Sequence, residues 1–373
     1  MQKTITVEIG ESSKSERLMS LDVLRGCDMF WIIGGDVLFR EFINWSGCSW
    51  MQTHMLPHLH HVRWNGFRAY DLIFPLFIFI AGVALPYVFD KLQSKNVAKK
   101  ELVKKILKRA FLLVILGVVY NGLLKFNFAS VRIPSVLGLI GLAYGLGALI
   151  VLNFSVTRQI AIGAMFLVGY YGIMCLIPGT DLTPSGNVAS YIDRFFLSGH
   201  LLCKTWDPEG ILFMVPASVL VIMGALTGKF LKNNKISEYK KCGFLALAGL
   251  GLLIIAILWS KLFPINKKLW SSSFITLTGG IAALLMSFFY LIVDVWKIKK
   301  LFFPFVLVGS NSILIYFLFH KVIDFKYTSK FLFSGVVSLA PESFSGVLVA
   351  FFVIVTEILL LWFLYRKKIF LKV

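Results

Sequence analysis

Apolar residues fall into windows at 19–40, 70–90, 109–125, 133–153, 158–177, 208–228, 242–262, 270–295, 301–322 and 344–365. A bilayer core of about 30 Å needs roughly 20 apolar residues in a helix, and these windows are of that length. The pattern predicts an all-α integral membrane protein with ten transmembrane helices. The count becomes eleven if the short apolar piece near 331–340 also enters the bilayer. Residues 1–18 read as a cytoplasmic tail, 19–365 as one polytopic transmembrane domain, and 366–373 as a basic cytoplasmic tail. Residues 1–19 are polar and lack the pattern of a cleavable signal, so the first apolar window is expected to stay in the mature protein.

Several windows are interrupted by groups that lipid does not tolerate. The first carries Asp22, Arg25, Asp28 and Asp36. Each charge near the bilayer centre costs about 2.5–3.5 kcal/mol on insertion scales. Asp22 and Arg25 are three residues apart and can pair on one helix face. Gly34 and Gly35 weaken the helix just before Asp36, which could then reach the loop beyond it. In the second window Pro75 follows Asp71 by four residues, a spacing expected to kink the helix or free the Asp71 carbonyl. Gly309, Ser310, Asn311, Ser312 and Tyr316 form a polar patch in the ninth window, and Glu357 is a lone carboxylate in the tenth.

Composition sharpens the class. The chain is 58% hydrophobic and 15% charged over 373 residues, with a mean hydropathy of +0.80. Its net charge of +19 is explained by topology rather than by nucleic acid, for which no binding motif is present. Of 38 Lys and Arg residues, 24 fall on one side when alternate connections are grouped with both tails, eight of them in 91–109. The excess of basic residues marks the cytoplasmic side, so both termini are expected there. The 41–69 and 178–207 loops then lie outside. The basic stretch VAKKELVKKILKRA reads as an interfacial helix on anionic lipid, or as a landing surface for a polyphosphorylated donor. Asp207 followed by Pro208 reads as a helix start, with Tyr191, Asp193, Arg194 and His200 nearby as possible polar contacts. The five cysteines are scattered without a CxxC pair, although Cys48 and Cys203 both fall on the outer side.

The outer 41–69 loop concentrates the chemistry. His54, His58, His60 and His61 fall within eight residues, just ahead of Asp71. Imidazole exchanges a proton near neutral pH. No Walker A loop, dinucleotide fingerprint or HExxH is present, and the HLHH spacing lacks a carboxylate partner for a metal, so none is expected. What remains is acid–base or nucleophilic chemistry by a histidine in a membrane pocket. Transfer of an acyl group from a thioester to an amine or alcohol needs little more. Asp36 and Asp71 are the carboxylates available to orient the ring, and Asn65 could donate to an oxyanion.

The ordered motifs Leu21-Asp22-Val23-Leu24-Arg25-Gly26, His61-Val62-Arg63-Trp64-Asn65-Gly66, Asp71-Leu72-Ile73-Phe74-Pro75 and Ala81-Gly82-Val83 resemble the heparan-α-glucosaminide N-acetyltransferase family. So do Asp207-Pro208-Glu209-Gly210, Lys268-Leu269-Trp270-Ser271 and Gly309-Ser310-Asn311-Ser312-Ile313-Leu314-Ile315-Tyr316. The resemblance runs from about residue 18 to 365. It implies a multi-helix acetyltransferase that takes acetyl-CoA from the cytosol and acetylates the amine of a glucosamine-type sugar or glycan on the far side. It also implies which histidine acts: the family's active histidine precedes x-x-Trp-Asn-Gly, which is His61 here. The family's helix-one asparagine falls on Asp36, a departure from the pattern. Catalytic candidates are therefore His61, Asp36 and Asp71. Substrate-binding candidates are Trp64, Asn65, Asp22, Arg25, Asn311, Trp270 and Lys268. The expected partners are acetyl-CoA as donor, the amino sugar or glycan, and the lipid of a bacterial inner membrane, with a homodimer left open. Direct transfer and an acetyl-histidine intermediate both fit.

Two other readings remain at this stage. Acetylation of a glycan hydroxyl would use the same residues. A proton-coupled transporter would use Asp22, Asp36, His61 and Asp71 as a relay, but it should show a matching broken helix in both halves, and the second half shows no clear counterpart.

Overall fold

The structure is a computed structural model describing residues 18–371, with 320 and 321 described by backbone alone. The described residues form helices and no strand. The first apolar window becomes α1 (Met19–Phe30) and α2 (Asp36–Ser46), joined through a π-turn at Trp31–Gly35. Gly34 makes this kink with φ of 127°, a conformation that needs glycine. Then come α3 (Ser49–His54), α4 (Ile73–Gln93), α5 (Lys99–Tyr120), α6 (Val136–Asn153) and α7 (Val156–Leu176). The second half holds α8 (Val188–Leu197), α9 (Met214–Leu231), α10 (Glu238–Trp259), α11 (Ser272–Phe289), α12 (Phe303–Ser310), α13 (Ser312–Phe317), α14 (Phe325–Ser338) and α15 (Glu342–Arg366).

Among the described residues, seven helices are long and apolar enough to cross a membrane: α4 with its preceding turn, α6, α7, α9, α10, α11 and α15. The other three expected windows differ for physical reasons. The first is broken at Gly34. The third shares one continuous helix, α5, with the basic stretch before it, so the first half of that helix carries charged residues throughout. The ninth is interrupted at Asn311 between α12 and α13. The short apolar piece near 331–340 is the end of α14 and the turn after it, with Phe331 and Leu332 in the helix and Leu339 just past it all exposed. The expected N-terminal tail, residues 1–18, lies outside the described residues except for Leu18, whereas 366–371 of the expected C-terminal tail are described.

α4 is the central pillar. It packs along α9 so closely that a Cβ on Gly224 would overlap the carbonyl of Phe79, and one on Gly82 the carbonyl of Val221. Small residues let helix backbones meet in this way where lipid supplies no hydrophobic drive. Gly224→Val is therefore expected to separate α4 from α9 at a cost of about 3 kcal/mol or more. The check is the thermal midpoint of the detergent-purified protein; an unchanged midpoint would contradict this packing. Around the pillar, Phe74, Ile78, Leu139, Ala143, Leu220, Trp270 and Phe274 form the main apolar core. The outward faces of α7 and α10 carry exposed Ile160, Met165, Leu247, Ile254 and Leu258, the pattern of surfaces that face lipid.

Candidate active site

The site is built at the head of α4. Arg68 is extended, and residues Ala69–Leu72 make a 3-10 turn leading into the helix. Asp71 closes that turn, its Oδ2 accepting the backbone N–H of Arg68 at 3.0 Å. The same oxygen takes the Val62 N–H at 3.4 Å. Pro75 sits in the first turn of α4, where a backbone N–H has no helical partner in any case. It starts the helix rather than kinking it, and of the two expected effects the one that remains is that no N–H at position 75 reaches the Asp71 carbonyl. Asp71 is thus held rigidly by backbone, fully buried, with Oδ1 left over.

That oxygen is 2.8 Å from His61 Nδ1. The imidazole is held through Nδ1 and its side chain is 47% exposed. Nε2 is therefore the nitrogen left for a reacting group. Arg68 donates to the His61 carbonyl at 3.3 Å, and the Tyr70 ring lies 4.9 Å from the imidazole centroid. His58 is used differently, its Nδ1 accepting the Ala69 N–H at 3.3 Å. Among the described residues no three His, Cys, Asp or Glu side chains are gathered as metal ligands.

The connection from α10 to α11 reaches over this pair. Lys267 Nζ lies 3.1 Å from His61 Nδ1, 3.3 Å from Nε2 and 3.8 Å from Asp71 Oδ1. A point that near both ring nitrogens lies over the ring face. Burial pushes the Lys267 ammonium down to about 8, although Asp71 and Glu209 favour its charge. The chain holds this connection in place through a buried polar knot. Asn266 accepts from Leu269 N through Oδ1 and donates through Nδ2 to Asn65 Oδ1 at 2.9 Å, while Gly66 N donates to the Ile265 carbonyl. Lys268 Nζ donates to the Arg63 carbonyl at 2.7 Å and sits between the rings of Trp64 and Trp206. Trp64 in turn donates to the Leu182 carbonyl. Trp270 is buried and donates to the Pro208 carbonyl, so it packs beneath the site.

On the adjoining side, Arg132 binds Asp207 at 2.6 and 2.8 Å and also Glu209. Burial pushes the Glu209 carboxyl up to about 7 against the pull of Arg132. Asp207 also accepts from Leu202 N and Glu209 N. It anchors this segment instead of capping α9, which starts later at Met214. Asp193 accepts from Ile211 N, Arg194 donates to Ser185 and Thr205 carbonyls, and His200 to Val131. These tie the 178–207 loop to the 126–135 connection and to the start of α9. Cys48 and Cys203 are both free thiols.

The remaining candidates are held by other partners, although Asp36 lies within electrostatic range of Tyr70, whose ring packs beside His61. Asp36 pairs with Arg40 one turn on, at 2.8 Å. Asp22 and Arg25 face each other at 3.7 Å in the first turns of α1. Asn311 bonds the C-terminal segment through Ile369 O and Leu371 N. A sequence reading treats Lys267 as an interface anchor; its place over His61 depends on contacts 206 residues apart.

A cavity of 270 Å³ lies beneath Tyr70, between α1, α4 and α11, lined by Leu24, Asp28, His58, Leu76 and Phe289 among others. Asp28 is buried there, and its Oδ2 makes no hydrogen bond among the described residues. A larger cavity of 1010 Å³ between α2, α14 and α15 touches none of the site residues.

Fold and site together define a polytopic helical membrane protein that carries an oriented histidine–aspartate pair at one end of its bundle. Over 97% of its length the chain is 27% identical to human heparan-alpha-glucosaminide N-acetyltransferase, and over the same share 26% identical to the mouse protein of that name. The family resemblance seen in the motifs therefore extends along the whole chain. The chain spans 61% of the length of each of these relatives. No protein-family model matches it.

Proposed function

We propose that the protein is an integral-membrane acetyltransferase. It moves the acetyl group of cytosolic acetyl-CoA to the amine of a glucosamine-type sugar or glycan on the extracytoplasmic side. The observation that carries this reading is the His61–Asp71 pair at 2.8 Å, in a chain similar over 97% of its length to proteins named heparan-alpha-glucosaminide N-acetyltransferase. Asp71 Oδ1 accepts the Nδ1 proton and fixes the tautomer that leaves Nε2 basic. Nε2 takes the proton of the attacking amine, the nitrogen bonds to the thioester carbonyl carbon, and the C–S bond breaks. The imidazolium returns that proton to the leaving thiolate. Asn65, oriented by Asn266, lies in the same segment as a donor for the carbonyl oxygen. Trp64, Trp206 and Lys268 offer an aromatic and cationic surface to the sugar.

In this reading the kinked α1–α2, the half-charged α5 and the interrupted α12–α13 bring seven long helices to ten crossings, with both termini cytoplasmic. The membrane is the inner membrane of a bacterium. The cavity beneath Tyr70 receives the thioester arm of the donor, and Asp28 offers it a hydrogen-bond acceptor within a mostly apolar wall.

Sealed vesicles test the sidedness. With labelled acetyl-CoA outside and glucosamine trapped inside, inside-out vesicles are expected to accumulate labelled N-acetylglucosamine and right-side-out vesicles are not. Equal labelling in both orientations would overturn the transmembrane transfer.

A further inference from the structure

Acetylation of an amine has a proton balance that one histidine does not complete. The acceptor arrives as R–NH3⁺, while the products are an amide, a thiol and one free proton. Two protons leave the nitrogen. His61 accounts for the one that ends on sulfur, and the other needs a second base.

We propose that Lys267 is that base: its neutral amine takes the first proton of the acceptor's ammonium group beside His61. This rests on the acetyl-transfer reading of the site. The step is R–NH3⁺ plus Lys267–NH2 giving R–NH2 plus Lys267–NH3⁺. The free amine then attacks, the N–C bond forms, the C–S bond breaks, and His61 carries the second proton to the thiolate. Lys267 returns to its neutral form by releasing its proton to water along its 17% exposed side.

Geometry carries the assignment. Nζ stands 3.1 and 3.3 Å from the two nitrogens of an imidazole whose Nδ1 is held by Asp71. An acceptor nitrogen in contact with Nε2 is thereby within reach of Nζ. The charged groups facing Lys267 are Asp71 at the head of α4, Glu209 ahead of α9, and neighbouring Lys268; Arg132 ties Glu209 down. Burial outweighs the two carboxylates and brings the ammonium to about 8, so a usable share is neutral near neutral pH. An ordinary surface lysine would be almost wholly charged there. A lysine that served only to hold Asp71 by charge would be replaceable by arginine, and this difference makes the two roles separable.

The test uses purified full-length protein, with kcat for transfer from acetyl-CoA to glucosamine measured from pH 6.5 to 9.5 at saturating acceptor. Wild type, Lys267→Met and Lys267→Arg are compared, with size-exclusion profile as a check of folding. Lys267→Met is expected to lose about 100-fold at pH 7, shrinking to less than about 5-fold at pH 9, where the acceptor binds already deprotonated. Lys267→Arg is expected to follow Lys267→Met at pH 7, because guanidinium cannot accept a proton. Recovery of wild-type rate by Lys267→Arg, or a loss that stays constant with pH in both variants, would overturn the proposal. A wild type that transfers no acetyl group at any pH would instead overturn the acetyl-transfer reading itself, and Lys267 with it.

Discussion

His61→Ala lowers kcat for acetyl transfer by about 10³-fold, within the range that a positioned general base contributes. Binding of acetyl-CoA and the thermal midpoint stay close to wild type. The side chain is 47% exposed and is fixed by Asp71 through Nδ1, so truncation empties space at a partly open position and leaves the core filled. The loss is thus expected in the chemical step. His58→Ala and His60→Ala, in the same loop, should retain more than about a tenth of the activity, since neither ring is paired with Asp71. A comparable loss at His58 or His60 would mean that the loop as a whole, and not one imidazole, is what the reaction needs.

Asp71→Asn is expected to lower kcat by about 10²-fold to 10³-fold for a different reason. Asp71 Oδ2 accepts from the Arg68 and Val62 N–H groups. An asparagine must point its carbonyl oxygen at those donors, which leaves its NH2 facing His61 Nδ1. The ring would then keep its proton on Nε2 and present no base to the acceptor. Asp71→Ala should be worse, because it also takes the acceptor from two half-buried backbone donors, at about 1 kcal/mol each. Kinetics and thermal midpoint together distinguish the cases: asparagine should lose activity with little loss of stability, alanine both. Asparagine retaining near wild-type kcat would remove Asp71 from the mechanism.

The apolar windows foretold a helical membrane protein because hydropathy at bilayer length is the strongest signal in this chain. They did not foretell which windows would be continuous. Gly34 and Gly35 marked the break in the first. Pro75 misled because its effect depends on register: in the first turn of α4 it is a start signal. Asp207-Pro208 misled in the opposite sense, since the partner that claims Asp207, Arg132, lies 75 residues away. The four histidines are alike in sequence, and choosing His61 relied on the family motif. The structure separates them by giving His61 the carboxylate and His58 a backbone N–H. Lys267 was hidden because Lys267, Lys268 and Trp270 together look like an interfacial anchor. Its depth comes from the knot between Asn266 and Asn65, a tertiary contact that no local pattern encodes.

The most direct measurement is acetyl transfer from labelled acetyl-CoA to glucosamine by the purified protein, wild type against His61→Ala. The account predicts labelled N-acetylglucosamine from the wild type and its near-complete loss in the variant, with acetyl-CoA binding retained by both. A wild type that neither binds acetyl-CoA nor labels any amino sugar or glycan would contradict it.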